Sequence, residues 1–143
     1  MMNRVSHATI LHCALYVCLS GFITGCMFVN GPPDRKRGVL KLSQENRIDN
    51  SIAMALINGG NISESEVFAL LSLNDENVRF YLLLNRNLDK NIAYTIIAMT
   101  SDYSLSAIVD NPGLIGDEVV RHLLLGKKDS SAAIMTLRHM SGK

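Results

Sequence analysis

The sequence has few of the residues on which catalysis and metal binding usually depend, and it has no excess of charge of one sign. Its 143 residues include no tryptophan, only four histidines and only three cysteines. Lysine and arginine total 14 against 13 aspartates and glutamates, a net charge of +1, whereas nucleic-acid binding needs clustered positive charge. Apolar residues make up 48%, which excludes a disordered chain. The length allows one domain with an appendage and rules out a large multidomain enzyme.

An apolar run near the N-terminus predicts a targeting segment. Arg4 is the only charged residue before position 34, and the apolar run extends from Ala8 to Ile23. A helix needs roughly 20 residues to span a bilayer, so this run is short for a membrane span. A short positive region, an apolar region and small residues after it predict a secretory signal peptide over residues 1–25. An uncleaved anchor and a buried core helix are the alternatives.

The apolar run ends in the four residues Ile23-Thr24-Gly25-Cys26. This motif resembles the lipobox of bacterial lipoproteins, although leucine is more common than isoleucine at its first position. The resemblance implies that Cys26 becomes the mature N-terminus and carries lipid on its thiol, which attaches the protein to a membrane. In diderm bacteria an aspartate after the cysteine retains a lipoprotein in the inner membrane. Met27 stands there instead, so the resemblance implies the outer membrane, with the domain facing the periplasm.

Cysteine use agrees with lipidation of Cys26. Cys13 and Cys18 would leave with the signal peptide, so the mature chain would hold one cysteine and no internal disulfide. Arg4 would leave as well, so residues 26–143 would have 13 basic and 13 acidic side chains and a net charge of zero.

The residues after Cys26 predict a tether. Gly31-Pro32-Pro33 breaks regular structure and favours an extended course. Asp34 to Arg37 is a short charged cluster, for which a solvated linker is favoured over a basic patch on anionic headgroups. Val39 and Leu40 are candidates to pack on the first helix of the domain. We therefore assign residues 26–46 to the lipidated cysteine and a flexible tether, and residues 47–143 to the folded domain.

The remainder of the chain repeats with a regular period. Four apolar blocks start at Ser51, Val78, Ser104 and Ser131, and the spacing of these starts varies by only one position. The first three blocks end in Asn58, Asn85 and Asn111. A turn follows each of these three, and then a stretch with helical spacing of its apolar residues. The predicted unit is a short helix, a turn, a longer helix and a polar loop.

Helix-start signals support this unit. Ser63 precedes Glu66 by three residues, the spacing of a capping box. Asp89 and Asp117 lie where the later long helices should begin, and Gly126 lies where the third should end. Sustained apolar/polar alternation is absent, so the sequence predicts an all-α fold.

Three and a half such units resemble the leucine-rich repeat variant and HEAT-like α-solenoids. The text closest to the repeat motif is Asn77-Val78-Arg79, then Leu82-Leu83-Leu84-Asn85, then Leu88. The resemblance covers residues 50–140 and implies a short α-solenoid of about three and a half two-helix repeats. A small helical bundle is the alternative, because its apolar stripes would look similar. Each unit of a solenoid buries its apolar face only against its neighbours.

No catalytic, cofactor-binding or metal-binding residue is expected. After signal removal only His122 and His139 remain, well separated in the sequence and without ligands at zinc-site spacing. His122 is expected at the surface. A nucleophile elbow and a phosphate loop are also absent from the sequence.

Tyrosine and arginine are the better candidates for binding, because both are enriched at protein interfaces. Core filling is the favoured role for two of the tyrosines, Tyr81 and Tyr94. The candidate interface side chains are Tyr103, Arg79, Arg86 and Arg121.

The sequence therefore predicts an outer-membrane lipoprotein without catalytic activity. It would bind other envelope proteins within a complex such as a secretion or conjugation apparatus, with neither nucleic acid nor a small-molecule substrate as partner. The alternatives are a pilotin-like carrier of one outer-membrane protein and a lipid-anchored enzyme.

The lipobox generates the first prediction. Protein extracted from membranes should lack residues 1–25 and carry added acyl mass on Cys26, as intact-mass measurement would show. The Cys26→Ser variant should leave the membrane fraction, because two acyl chains anchor a protein stably and the variant would carry no acyl chain. A full-length mass, or membrane partition of the serine variant equal to wild type, would contradict lipidation.

Overall fold

The computed structural model describes residues 33–142, and every regular element in that range is helical. The all-α prediction is therefore confirmed. The α-helices are α1 (Pro33–Gln44), α2 (Asn50–Asn58), α3 (Glu64–Ser72), α4 (Glu76–Leu84), α5 (Lys90–Met99), α6 (Glu118–Leu125) and α7 (Ser131–Ser141). A 3₁₀ helix (Tyr103–Asp110) lies between α5 and α6.

Side-chain caps determine where these helices begin. The short helices start after caps at Asp49, Asp75, Asp102 and Ser130, whose spacing varies by no more than two positions. The long helices start after caps with nearly the same spacing, at Ser63, Asp89 and Asp117. Each cap oxygen accepts a backbone N–H that would otherwise have no partner. The capping box predicted at Ser63 is confirmed, since the Ser63 N–H donates to Glu66 Oε2 at 2.7 Å.

The short helices form a row of contacts, and the long helices lie against this row. The short helices touch in chain order, α2 against α4, α4 against the 3₁₀ helix, and the 3₁₀ helix against α7. Among the long helices, α5 packs on α6, and each of the three contacts a short helix beside it. These contacts are consistent with a repeat stack and with a small bundle.

Helix α4 forms the centre of the core. Val78, Phe80, Tyr81, Leu82 and Leu83 are all buried, so this helix is apolar around most of its circumference. Since Tyr81 is almost fully covered and meets Phe80 edge to face at 5.6 Å, its predicted core role is confirmed.

The third unit differs from expectation because its short helix is 3₁₀ rather than α. Its serines offer the backbone competing hydrogen bonds. Ser104 Oγ donates to Asp102, and Ser106 Oγ donates to the Tyr103 carbonyl at 2.8 Å. Such local bonds disfavour regular α-helix, which agrees with the tighter winding here.

The structure also differs from the expected tether, because helix α1 lies within residues 26–46. Pro33 is its first residue, a position at which the missing proline N–H costs nothing. Pro33 of the Gly-Pro-Pro signal therefore begins a helix. Val39 and Leu42 are buried and Leu40 is partly buried against the core, so the packing expected of Val39 and Leu40 is confirmed and α1 belongs to the folded region.

Arg35 fixes α1 on the rest of the domain. Its Nη2 lies 2.9 Å from Glu76 Oε1, and its guanidinium lies 4.6 Å from the Phe80 ring centre and 5.3 Å from that of Tyr103. Gly38 permits a close approach, since a Cβ there would lie 2.5 Å from Asn77 Nδ2. The cluster from Asp34 to Arg37 is thus in part a docking contact rather than a solvated linker.

The predicted signal peptide and the lipidation site at Cys26 lie outside the described residues. Both stay predictions. Within residues 33–142, none of the helices combines the length and the apolar character that crossing a membrane requires.

Two buried asparagines connect successive units. Asn85 Nδ2 donates to the Gly60 carbonyl at 2.8 Å, and Asn111 Nδ2 donates to the Leu83 carbonyl at 2.7 Å. Their side-chain oxygens accept backbone N–H groups two residues ahead, at 2.9 and 3.0 Å. Each asparagine therefore closes its own turn and donates a hydrogen bond to a backbone carbonyl of the preceding unit. Asn58, which has the same place in the first unit, is exposed.

This asparagine bond generates the second prediction. Asn111→Ala should lower the free energy of unfolding by about 1–3 kcal/mol, because the buried Leu83 carbonyl would lose its donor. Asn58→Ala is the matched control and should change it by less than about 0.5 kcal/mol. Denaturant unfolding of both variants measures the difference, and equal stabilities would refute the linking role.

Candidate functional site

Arg79 joins two loops at one edge of the domain. Its Nε donates to Asp102 Oδ2 at 3.1 Å, its Nη2 donates to the same oxygen, and its Nη1 donates to Asn74 Oδ1 at 2.8 Å. The side chain of Arg79 is only 17% exposed. Arg79 is thus mostly covered by contacts within this chain, and its expected role at an interface stays a prediction. Arg86 and Arg121 are exposed, as expected of interface residues.

Asp102 has two roles at this edge, as the cap of the 3₁₀ helix and as the counter-ion of Arg79. Partial burial alone would raise the pKa of its carboxyl group. Hydrogen bonds from Ser104 and the nearby Arg79 charge outweigh burial, so the pKa of Asp102 lies below its usual value of 3.8. The carboxylate is accordingly ionised at neutral pH and holds the two units together.

A second ion pair, between the long helices α5 and α6, resembles the Arg79–Asp102 pair because it also involves the cap of the following helix. Lys90 Nζ donates to Asp117 Oδ2 at 3.1 Å, and the Tyr94 hydroxyl donates to the same oxygen at 2.9 Å. The hydrogen bond to Asp117 raises the pKa of Lys90 and of Tyr94. Tyr94 is partly buried with its hydroxyl at the edge, which confirms its predicted packing role.

A groove lies beside the Arg79–Asp102 pair, with a cavity volume of about 470 Å³. Apolar and polar groups share its wall, which consists of Leu71, Asn74, Arg79, Ile96, Met99, Thr100, Ser101 and Asp102. Met99 is 82% exposed at the last turn of α5. Exposed methionine beside a recess suits the anchoring of an apolar side chain from another protein. This groove is the candidate binding site.

The other candidate residues do not join the groove lining. Tyr103 is half exposed under the Arg35 guanidinium, and His122 and His139 are exposed on α6 and α7, as expected for His122. Within residues 33–142, no three metal-ligating side chains form a group that could hold an ion. In the same range every buried side-chain nitrogen and oxygen atom has a hydrogen-bond partner.

Comparison of the chain with protein-family models, with curated proteins and with solved structures finds no match.

Sequence reasoning did not find the groove. Leu71 and Ile96 fit the helical apolar pattern, which predicts packing, and Met99 has no predicted role. One signal was present, because Met99 follows Ile96 and Ile97 on a helix that already has a complete buried face. An additional large apolar residue outside that face is a candidate contact residue.

The ion pair generates the third prediction. A carboxyl group with a depressed pKa in the folded state stabilises the protein above its unfolded pKa, and this contribution disappears as pH falls through the folded value. Wild-type stability should therefore fall in acid below about pH 4. Asp102→Asn keeps the cap but loses the charge, so its melting temperature should fall less between pH 7 and pH 3. Asp110→Asn, at an exposed site, is the control and should follow wild type. Equal acid sensitivity of the Asp102→Asn variant and wild type would contradict the role of this pair.

Proposed function

We propose that this chain is a lipid-anchored outer-membrane lipoprotein that binds other envelope proteins and has no catalytic role. The groove beside Met99 is the observation that supports binding. The motif Ile23-Thr24-Gly25-Cys26 supports the anchor. The repeated helical units support a scaffold, since stacked units offer long surfaces with separate contact sites.

Helix α1 limits how far the domain can stand from the membrane. Cys26 precedes Pro33 by seven residues, and an extended chain spans at most about 3.6 Å per residue. The first residue of α1 would therefore lie within roughly 25 Å of the lipid attachment site. Because Arg35, Val39 and Leu42 hold α1 on the domain, the domain would be tied to the attachment site through α1. Partners would be proteins embedded in the membrane or lying close to its periplasmic face.

The groove suits a protein segment with an apolar anchor residue. Leu71, Ile96 and Met99 supply apolar surface, and Ser101 and Asp102 are among the polar residues of the same wall. Hot spots at interfaces have this form, an apolar pocket with a few directed polar groups beside it. The anchor residue of the partner would displace water from the recess and cover Met99.

A carrier of a single outer-membrane protein is the second candidate function. The size of the groove favours it, since about 470 Å³ accommodates a few side chains from one segment. Stoichiometry separates the two functions. One partner in a one-to-one complex supports the carrier, and several partners on different faces support the scaffold.

The groove generates the fourth prediction. Met99→Glu should abolish chemical crosslinks between the lipidated protein and its envelope partners, because a charge would be buried in the recess. Met54→Glu, which changes another exposed methionine outside the groove, should crosslink as wild type does. Thermal melts of both variants should match wild type, since neither side chain is buried. Unchanged crosslinking by the Met99→Glu variant would refute the groove as the binding site.

A further inference from the structure

The junction between the long helices α5 and α6 has two cationic links. Lys127 Nζ donates to the Ala98 carbonyl in the last turn of α5 at 2.8 Å, and Lys90 pairs with Asp117 at 3.1 Å. Lysine suits the first of these places, because the last carbonyls of a helix need donors and carry partial negative charge. Helix α5 packs on α6, whereas α3 and α5 make little contact with each other. The groove beside Met99 has walls from both α3 and α5.

The α3–α5 junction has neither link. Met99 stands where Lys127 stands in the following unit, ten positions after the N-cap of its long helix and three before the cap of the next short helix. Helix α6 ends two residues before Lys127, while Met99 is the last residue of α5. Methionine has no group that can donate a hydrogen bond. At the start of α3, Glu64 holds the place that Lys90 holds in α5, so the second link is missing as well.

The carbonyl that corresponds to that of Ala98 belongs to Ser72, the last residue of α3. Ser72 lies nine positions after the cap Ser63, as Ala98 lies nine positions after the cap Asp89. Within residues 33–142, the Ser72 carbonyl accepts no hydrogen bond. Neither α3 nor α5 has a basic residue in its last turn. The end of α3 thus has an acceptor at the groove side of the chain, between two lining residues, and no cation of its own.

Arg79 explains why this junction is open. At the α5–α6 junction the cap Ser130 donates directly to the Ser101 carbonyl at 2.9 Å. The corresponding residues at the groove are Asp102 and Asn74, and the Arg79 guanidinium joins them by binding both. A guanidinium set between two groups keeps them farther apart than a direct hydrogen bond does, which leaves room for the groove.

Charge indicates what the groove can receive. Arg79 and Asp102 line it and are paired, so they offset each other. The partial negative charge at the C-terminal end of α3 is not offset in this way. Residues 48–75, which include α3, carry four acidic side chains and neither lysine nor arginine. The groove is therefore complementary to a cation with an apolar stem.

We propose that the groove receives a lysine side chain of the partner protein, whose ammonium group donates to the Ser72 carbonyl as Lys127 does to that of Ala98. The methylene stem of this lysine would pack on the apolar wall, next to the apolar anchor residue of the partner. Met99 is then a residue that determines specificity, because it supplies apolar surface and leaves the donor to the partner. Since it names a residue class for the same groove, this assignment rests on the proposed function.

The first test supplies the lysine from within the chain. In the full-length protein, Met99→Lys should raise the melting temperature by about 1 to 5 °C, because the new ammonium group can bind the end of α3. Met54→Lys adds the same charge at an exposed methionine outside the groove and should leave the melting temperature unchanged. An unchanged melting temperature of the Met99→Lys variant would overturn the assignment, because the Ser72 carbonyl would then be out of reach.

The second test uses Nα-acetyl-lysine methylamide as the probe and its Nε-acetylated counterpart, which lacks the charge, as the matched control. NMR of the full-length protein with methyl-labelled methionine follows the Met99 resonance, which Met99→Leu identifies. The charged compound should shift this resonance with an affinity about two- to fivefold higher than that of the acetylated one. The Met54 resonance should respond to neither compound.

Equal affinity for the two compounds would overturn the lysine assignment but leave the groove as an apolar site, so the proposed function would stand. No response of the Met99 resonance to either compound would also overturn the assignment. The proposed function fails separately, through unchanged crosslinking by the Met99→Glu variant.

Discussion

The asparagine that ends a short helix is the contact on which the arrangement of the units depends. A turn between two packed helices leaves backbone carbonyls that cannot reach water, and a buried carbonyl without a donor is costly. Asn85 and Asn111 supply that donor to the unit before, while their side-chain oxygens organise the turn that follows. One residue type therefore sets both the local turn and the distance to the neighbouring unit. The carbonyls that the two asparagines reach differ, since Gly60 lies in the turn after α2 and Leu83 lies in the last turn of α4, so this contact joins neighbouring units without fixing one exact register.

Those parts of the fold that depend on local chemistry could be predicted from the sequence. Capping residues act on N–H groups two or three positions away, so Ser63, Asp89 and Asp117 reveal helix starts without knowledge of the tertiary structure. Features that depend on distant residues could not be predicted. In the sequence Arg35 is one charge in a polar cluster. Only the structure shows that Glu76, 41 residues later, accepts a hydrogen bond from it at 2.9 Å. Arg79 likewise resembles an interface residue in the sequence. Its hydrogen bond to Asp102 could not be predicted, because 23 residues separate the two.

The candidate sites show the same limit. Ile97 and Leu125 occupy the same position after an aspartate cap, and both are large aliphatic residues. Ile97 is buried and Leu125 is half exposed, because packing on the far side of each helix differs. Burial at a repeat position therefore depends on the neighbour and not on the residue itself. Met99 illustrates the reverse case, in which a helix with a complete buried face carries one more apolar side chain on its outside.

Helix α1 links the position of the anchor to the integrity of the units. Its Arg35 touches Glu76 and Phe80 of the second unit and Tyr103 of the third, while Val39 and Leu42 lie in the core. A side chain that contacts two units at once opposes their separation, because parting them would break the ion pair or the ring contacts. Stacked units have few long-range contacts of this kind, since each mainly contacts its neighbours. With lipid on Cys26, the described helix nearest the anchor in the sequence would also be the one that braces two units of the domain.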